Sequence, residues 1–210
     1  MDEKRRRAFL IGLTGGIASG KSTVSQKLET LGAHIIDADE LSRDVLKGES
    51  PAAYDLRVSF GEHVFQKNGS IDRVTLAKVV FTNPVARRRL EWIVHPQVQA
   101  RAAAVLAAQD KLSSKERRIV VFDAALLVET GAYRQMDRVV VVSAPTEKRI
   151  SRLATRDHLS EKDARDRMAS QINEDQSISI ADYVIENSGD LGCLDKQVVS
   201  LWKSITGKER

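Results

Sequence analysis

Cysteine is nearly absent: Cys193 stands alone among 210 residues. That rules out an internal disulfide and fits a reducing compartment. Between Gly192 and Leu194 it reads as small filler rather than as a nucleophile. Long apolar runs are missing as well. No stretch reaches the roughly 20 residues that a membrane span needs, and residues 1–7 carry charge where a signal peptide would be apolar. Together these absences predict a cytoplasmic chain with no membrane partner. Aromatic residues make up only 5 % of the chain, and the formal net charge is a mild +4. A nucleic-acid surface concentrates basic residues among aromatics, so no nucleic-acid partner is expected. The two dense basic runs, 4–7 and 87–89, read as a solvated tail and a solvated helix face. A small polyanionic substrate accounts equally well for the basic excess. What is plentiful, 42 % hydrophobic and 30 % charged residues, suits one α/β domain with a substantial core. The oligomeric state is not legible.

The densest chemical signal is G-x-x-x-x-G-K-S, spelled by Gly15, Gly16, Ile17, Ala18, Ser19, Gly20, Lys21 and Ser22, with Thr23 following. It comes directly after the apolar run 8–13 and before a helix-prone stretch, the strand–loop–helix setting of a phosphate-binding loop. The glycines let the chain curl so that successive N–H groups face phosphate oxygens, and the helix adds its positive end. Lys21 supplies charge for the β- and γ-phosphates, and the Ser22 hydroxyl suits Mg²⁺. The spacing predicts a site for a nucleoside triphosphate.

Apolar runs at 8–13, 33–36, 118–122, 138–142 and 182–185 alternate with helical patterns. They predict a five-stranded parallel sheet flanked by helices, a P-loop kinase-like α/β fold. A first helix over 21–31 stops at Gly32. From about 41 to 115 only helical signals appear, including a start at Asn83-Pro84 and a break or kink at His95-Pro96. The domain plan is a single unit with its core at about 8–40, 116–157 and 180–206. A helical acceptor-binding insert fills 41–115, and a helical lid spans 158–178. Further helices are expected from about 143 to 155, from Ser160 towards Gln171, and from Asp190 to Trp202.

Ligands of parallel sheets bind beyond the carboxyl ends of the strands, so the residues there become candidates. Asp123 follows four apolar residues, as a carboxylate that orients Mg²⁺ does; capping of a following helix is the competing role. Asp37 and Asp39 follow the second strand. Phosphoryl transfer needs a group that positions the acceptor hydroxyl and takes its proton, a role given to Asp39 with Asp37 as helper, against capping of an expected helix Glu40–Lys47 by either. Lys148, Arg149, Arg152 and Arg156 fall at helical spacing, with Arg165 and Arg167 beyond, and read as the basic face of a lid that stabilises spreading charge. There is no Asn-Lys-x-Asp motif for guanine, and Ala124 rather than Glu follows Asp123. Both features favour transfer to a small acceptor over motor-type hydrolysis.

Taken together, these residues resemble the dephospho-coenzyme A kinase family from residue 9 to about 189. The resemblance rests on residues 13–23, Ile36-Asp37-Ala38-Asp39, His95-Pro96, residues 123–129, Arg152, Thr155-Arg156-Asp157, Gln171 and residues 181–189. It implies ATP-dependent phosphorylation of the ribose 3′-hydroxyl of dephospho-coenzyme A, with Mg²⁺ accompanying ATP. It also implies ATP on 16–23 with Arg156 and Asn187 near the adenine, Asp39 as the base, and His95 facing the acceptor. For His95 an internally bonded, helix-interrupting role is equally open. The chain departs from the family at Ala125, where Pro is frequent, and at Ser177 and Ile178, where charge is usual. Two other readings stay open here: a different P-loop kinase of a nucleoside or nucleotide, and a nucleotide-gated binding module.

Overall fold

The five apolar runs all pair, and each strand extends one or two residues beyond its run. In the computed structural model, which describes residues 8–48, 50–111, 118–169 and 171–207, they form β1 (Phe9–Gly15), β2 (His34–Asp37), β3 (Ile119–Asp123), β4 (Arg138–Ser143) and β5 (Tyr183–Glu186). The order is β2-β3-β1-β4-β5 in one parallel sheet, as the alternation predicted. Leu13 lies opposite Asp123, and Ser143 opposite Glu186. Ladder pairing therefore carries each strand into its first polar residue, which hydrophobicity alone does not mark. Residues from one face of the sheet make this core: Ile11, Leu13, Val121, Val140, Val142 and Ile185.

Two helices close one side of that core. α1 (Lys21–Thr30) contributes Val24 and Leu28, and Gly32 follows it at φ +110°, the left-handed position that the stop signal required. The last helix, Leu191–Thr206, contributes Leu194, Val198 and Leu201 and is capped by Asp190, which accepts from the Cys193 N–H at 2.8 Å.

The chain divides into two compact parts, and Asp37–Lys111 is the second. It holds α2 (Ala38–Asp44), α3 (Pro51–Phe60), α4 (Arg73–Thr82) and α5 (Pro84–Lys111), with Leu56, Val64 and Leu76 at its centre. Asp37, Ser50 and Asp72 cap α2, α3 and α4 through N–H bonds of 2.8–3.1 Å. Asn83 and Pro84 open α5 as expected, the Asn83 carboxamide accepting from Val85 N–H at 2.9 Å. Two expectations are corrected. α2 ends at Asp44 rather than at 47. α5 runs through His95-Pro96 without a break. The carbonyl left without a donor by Pro96 is that of Trp92, and both residues are exposed, Trp92 at 84 %. Water can take that carbonyl, so one missing bond does not end a 28-residue helix.

Beyond β4 come α6 (Thr146–Asp157), α7 (Glu161–Ala169), α8 (Glu174–Ser179) and then the capped C-terminal helix, α9. α8 was not expected. Six residues are too few to show apolar periodicity, and its start is set by Asn173, which accepts from the Asp175 N–H at 3.1 Å. No described helix is long and apolar enough to cross a membrane. The basic run 4–7 and the expected junction at 115–116 lie outside the described residues.

Candidate active site

The loop between β1 and α1 is held from its carbonyl side. Arg149 Nε donates to Ile17 O at 2.9 Å, and Arg152 Nη1 donates to Ala18 O at 3.0 Å and Ser19 O at 3.1 Å. The Asn187 carboxamide donates to Ser19 O at 2.7 Å. Arg152 Nη2 reaches back to Asn187 O at 3.2 Å, joining the two anchors. Carbonyls 17–19 are thus taken, and two loop N–H groups are bonded as well, that of Ile17 to Gln171 Oε1 at 2.7 Å and that of Ser19 to Gly16 O at 3.0 Å. No described side chain caps α1, because Gly20 stands at its N-cap. The first-turn N–H groups of Lys21 and Ser22 therefore remain as donors for an anion.

Backbone demands explain the composition of the loop. Gly20 sits at φ +99°, and an added Cβ there would meet the Asn187 carboxamide. Ala18 adopts φ +60°, a left-handed conformation that costs a non-glycine residue about 1–2 kcal/mol. Packing of Ile17 and Ala18 against Ile150, Leu153 and Ala164 holds it there. Ser19 is buried, and its hydroxyl has no hydrogen-bond partner among the described residues.

Lys21 and Asp123 form an ion pair between the start of α1 and the end of β3, both side chains mostly buried. Asp123 is 5 % exposed. The segment after it forms turns, not a helix, so the capping role that competed for Asp123 is absent. The neighbouring Ala124 N–H donates to Leu13 O at 3.0 Å, keeping the end of β3 against β1. A cavity of about 380 Å³ opens beside the loop, lined among others by Thr14, Gly16, Glu129, Arg149, Gln171 and Glu174.

The other sequence candidates fall as follows. Ser22 is exposed on the first turn of α1, and Thr23 N–H closes back on Gly20 O at 3.0 Å. Arg156 is exposed and grips Asp157 with two bonds, 2.7 and 2.9 Å. In the helical part, Asp37 is engaged as the cap of α2, Asp39 lies in that helix's first turn, and His95 is half-buried on α5.

The basic face expected on α6 needs correction at Arg149. It is only 6 % exposed, on the same face as Ile150 and Leu153. The spacing 149, 150, 153 was readable as an apolar stripe with an arginine in it, a sign of a buried, partnered guanidinium. Gln171 and Glu174 carry no such signal. Gln171 accepts from the Ile17 N–H at 2.7 Å and Glu174 pairs with Arg149 at 3.1 Å, contacts that span 154 and 25 residues. The exposed arginines beyond are matched by acids, Arg165 by Glu147 and Glu161, Arg167 by Asp157.

Known proteins are similar to this chain along nearly its whole length. A family model described as CoaE, dephospho-CoA kinase, matches residues 9–192. A dephospho-CoA kinase of Syntrophotalea carbinolica is 43 % identical over 193 residues, covering 92 % of this chain and 90 % of the relative. The crystal structure of TT1252 from Thermus thermophilus superposes with a TM-score of 0.82 at 31 % identity, over 96 % of this chain and 100 % of that one. The dephospho-CoA kinase of Campylobacter jejuni gives a TM-score of 0.70 at 29 % identity, over 94 % and 97 % of the two chains. A triphosphate loop anchored to three elements, a buried lysine–aspartate pair beside it and likeness along nearly the full length agree: the chain belongs to the dephospho-CoA kinase family.

Proposed function

We propose that this chain phosphorylates the ribose 3′-hydroxyl of dephospho-coenzyme A with ATP. The observation that carries the reading is the loop itself: its carbonyls are occupied by Arg149, Arg152 and Asn187, while at the start of α1 no described side chain caps the N–H groups of Lys21 and Ser22, and Asp123 holds the Lys21 ammonium beside them. Family membership supplies the acceptor. In the reaction the 3′-oxygen attacks the γ-phosphorus, the bond to the β,γ-bridging oxygen breaks, ADP leaves, and the hydroxyl proton passes to a carboxylate.

We assign that carboxylate to Asp39. Its support is its place two residues beyond β2, in a stretch that follows the family pattern Ile36-Asp37-Ala38-Asp39. Asp37 is a helper on the acceptor side, through its cap on α2, and His95 faces the acceptor. Lys21 draws negative charge from the β- and γ-phosphates and neutralises what develops on the bridging oxygen. Arg152 acts from behind the loop, since its guanidinium is bonded to the carbonyls of Ala18 and Ser19. Arg156 and Asn187 serve the adenine end. In domain terms, 41–115 is the acceptor-binding insert and 158–178, with α7 and α8, is the lid.

Mg²⁺ accompanies ATP in this scheme, and the donor set fits it. Among the described residues no three His, Cys, Asp or Glu gather into a metal cage. A hard cation carried by a polyphosphate needs only one or two protein oxygens, and the Ser22 hydroxyl and Asp123 carboxylate are of that kind. The Ser22 hydroxyl and Asp123 carboxylate would hold the ion, which would supply positive charge against the phosphates.

The test is a coupled assay of ADP release with a panel of acceptors. Release is expected with dephospho-coenzyme A and not with nucleoside monophosphates, and the product should carry its new phosphate on the 3′-position by phosphorus NMR. Equal turnover with a nucleoside monophosphate would replace the acceptor; hydrolysis stimulated by RNA would replace the reaction class.

A further inference from the structure

We infer that Arg149 is a positioning residue for the phosphate loop, and that Glu174 acts on the loop by holding Arg149. The inference rests on the loop being the ATP site. Arg149 is buried, so its charge is tolerable only if its donors are matched. One donor, Nε, goes to Ile17 O at 2.9 Å and another, Nη1, to Glu174 Oε2 at 3.1 Å. The other backbone group of Ile17, its N–H, is held by Gln171 at 2.7 Å. Residue 17 is thus gripped on both sides by side chains from beyond β4. Gly16 lies flush on the guanidinium: a Cβ there would overlap Arg149 Nη2 and Cζ. The guanidinium is therefore the floor on which the Gly16–Ile17 segment rests.

Glu174 makes this a chain of two links. Its Oε2 is bonded to Arg149, while its Oε1 is buried without a hydrogen-bond partner among the described residues. Arg149 is thus the compensating charge for a carboxylate otherwise poorly served. Gln171 and Glu174 flank the start of α8, so this segment and the loop share a single guanidinium. Misplacing a phosphate-binding group by about 1 Å costs roughly 10²-fold in rate, which gives the clamp its leverage.

The test uses Arg149→Ala, Arg149→Lys, Glu174→Gln and the double variant Arg149→Ala/Glu174→Gln, in ATP and AMP calorimetric titrations and in steady-state kinetics. For both Arg149 variants, ATP affinity should fall about 10-fold and kcat about 10- to 10²-fold, with AMP affinity and the KM for dephospho-coenzyme A unchanged. Lysine should not rescue, because one ammonium cannot reach both Ile17 O and Glu174. Glu174→Gln alone should weaken ATP about 3-fold or more, and that effect should vanish when Arg149 is already alanine. Arg149→Lys within twofold of the parent would overturn the inference, as would equal losses for ATP and AMP or additive effects in the double variant. Should Arg149→Ala fail to fold, Arg149→Lys and Glu174→Gln decide on the same ATP-to-AMP comparison. A parent protein that binds ATP yet ignores dephospho-coenzyme A would sink the acceptor reading and leave these titrations decisive for the clamp.

Discussion

Lys21 and Asp123 are 102 residues apart in the chain and meet as an ion pair where α1 begins and β3 ends. Asp123 keeps the ammonium beside the loop, where the proposed reaction needs a charge for phosphate. Lys21→Ala should lower turnover about 10²-fold or more, as loss of a positioned charge at a developing oxyanion does; full activity in the coupled assay would remove the loop from the mechanism. For the base, Asp39→Asn should retain ATP binding by calorimetry and lose transfer by roughly 10²- to 10⁴-fold. Asp37→Asn should stay within a few-fold of the parent, since asparagine caps a helix as well as aspartate does. The reverse outcome would exchange the two roles. Both carboxylates were legible as candidates because they follow the second strand, and the lysine because it completes the G-x-x-x-x-G-K-S spacing. Arg149 was legible as a basic residue, and its burial was signalled only by the stripe that it shares with Ile150 and Leu153. Gln171 and Glu174 were silent as hydrogen-bond partners, because a lone amide or acid says nothing of what a distant loop presents to it.

At the scale of elements, local chemistry marked most boundaries. Gly32 ends α1, Asn83-Pro84 opens α5, and Ser160 opens α7 by accepting from the Asp163 N–H at 3.1 Å. The misses have physical causes too: α8 is too short to be periodic, and Pro96 sits on an exposed face, where water can take the carbonyl that it leaves without a donor. The junction of α6 and α7 offers a pH test. A hydrogen bond from Arg156 holds the Asp157 carboxyl below the ordinary aspartate range, helped by the charges of Arg156 and Arg167. The folded value lies below the unfolded one, about 3.9. The stabilisation is therefore complete above that pH and is lost as pH falls through the lower folded value. Asp157→Asn should flatten the acid limb of a stability profile measured by urea denaturation, with little change at neutral pH. An unchanged acid limb would mean that the pair does not contribute.

Among the described residues one core lies against the sheet, another lies around Leu56, Val64 and Leu76, and a smaller cluster of Ile150, Leu153 and Ala164 packs against the loop. Leu28 is fully buried in the first, between α1 and the sheet, behind the loop's own helix. Leu28→Ala should cost about 2–5 kcal/mol in unfolding free energy, read from denaturant midpoints; a loss well under 1 kcal/mol would show that the cavity collapses. The sequence by itself determined the place of the phosphate loop, the five strands and most helix starts, because these depend on local backbone freedom, capping groups and apolar periodicity. Only the tertiary structure decided the order β2-β3-β1-β4-β5. It also decided that Asn187 anchors Ser19 across 168 residues and that Arg149 is buried against Ile17 across 132. Such meetings depend on which strands become neighbours and in what register, and no local stretch of chain encodes that.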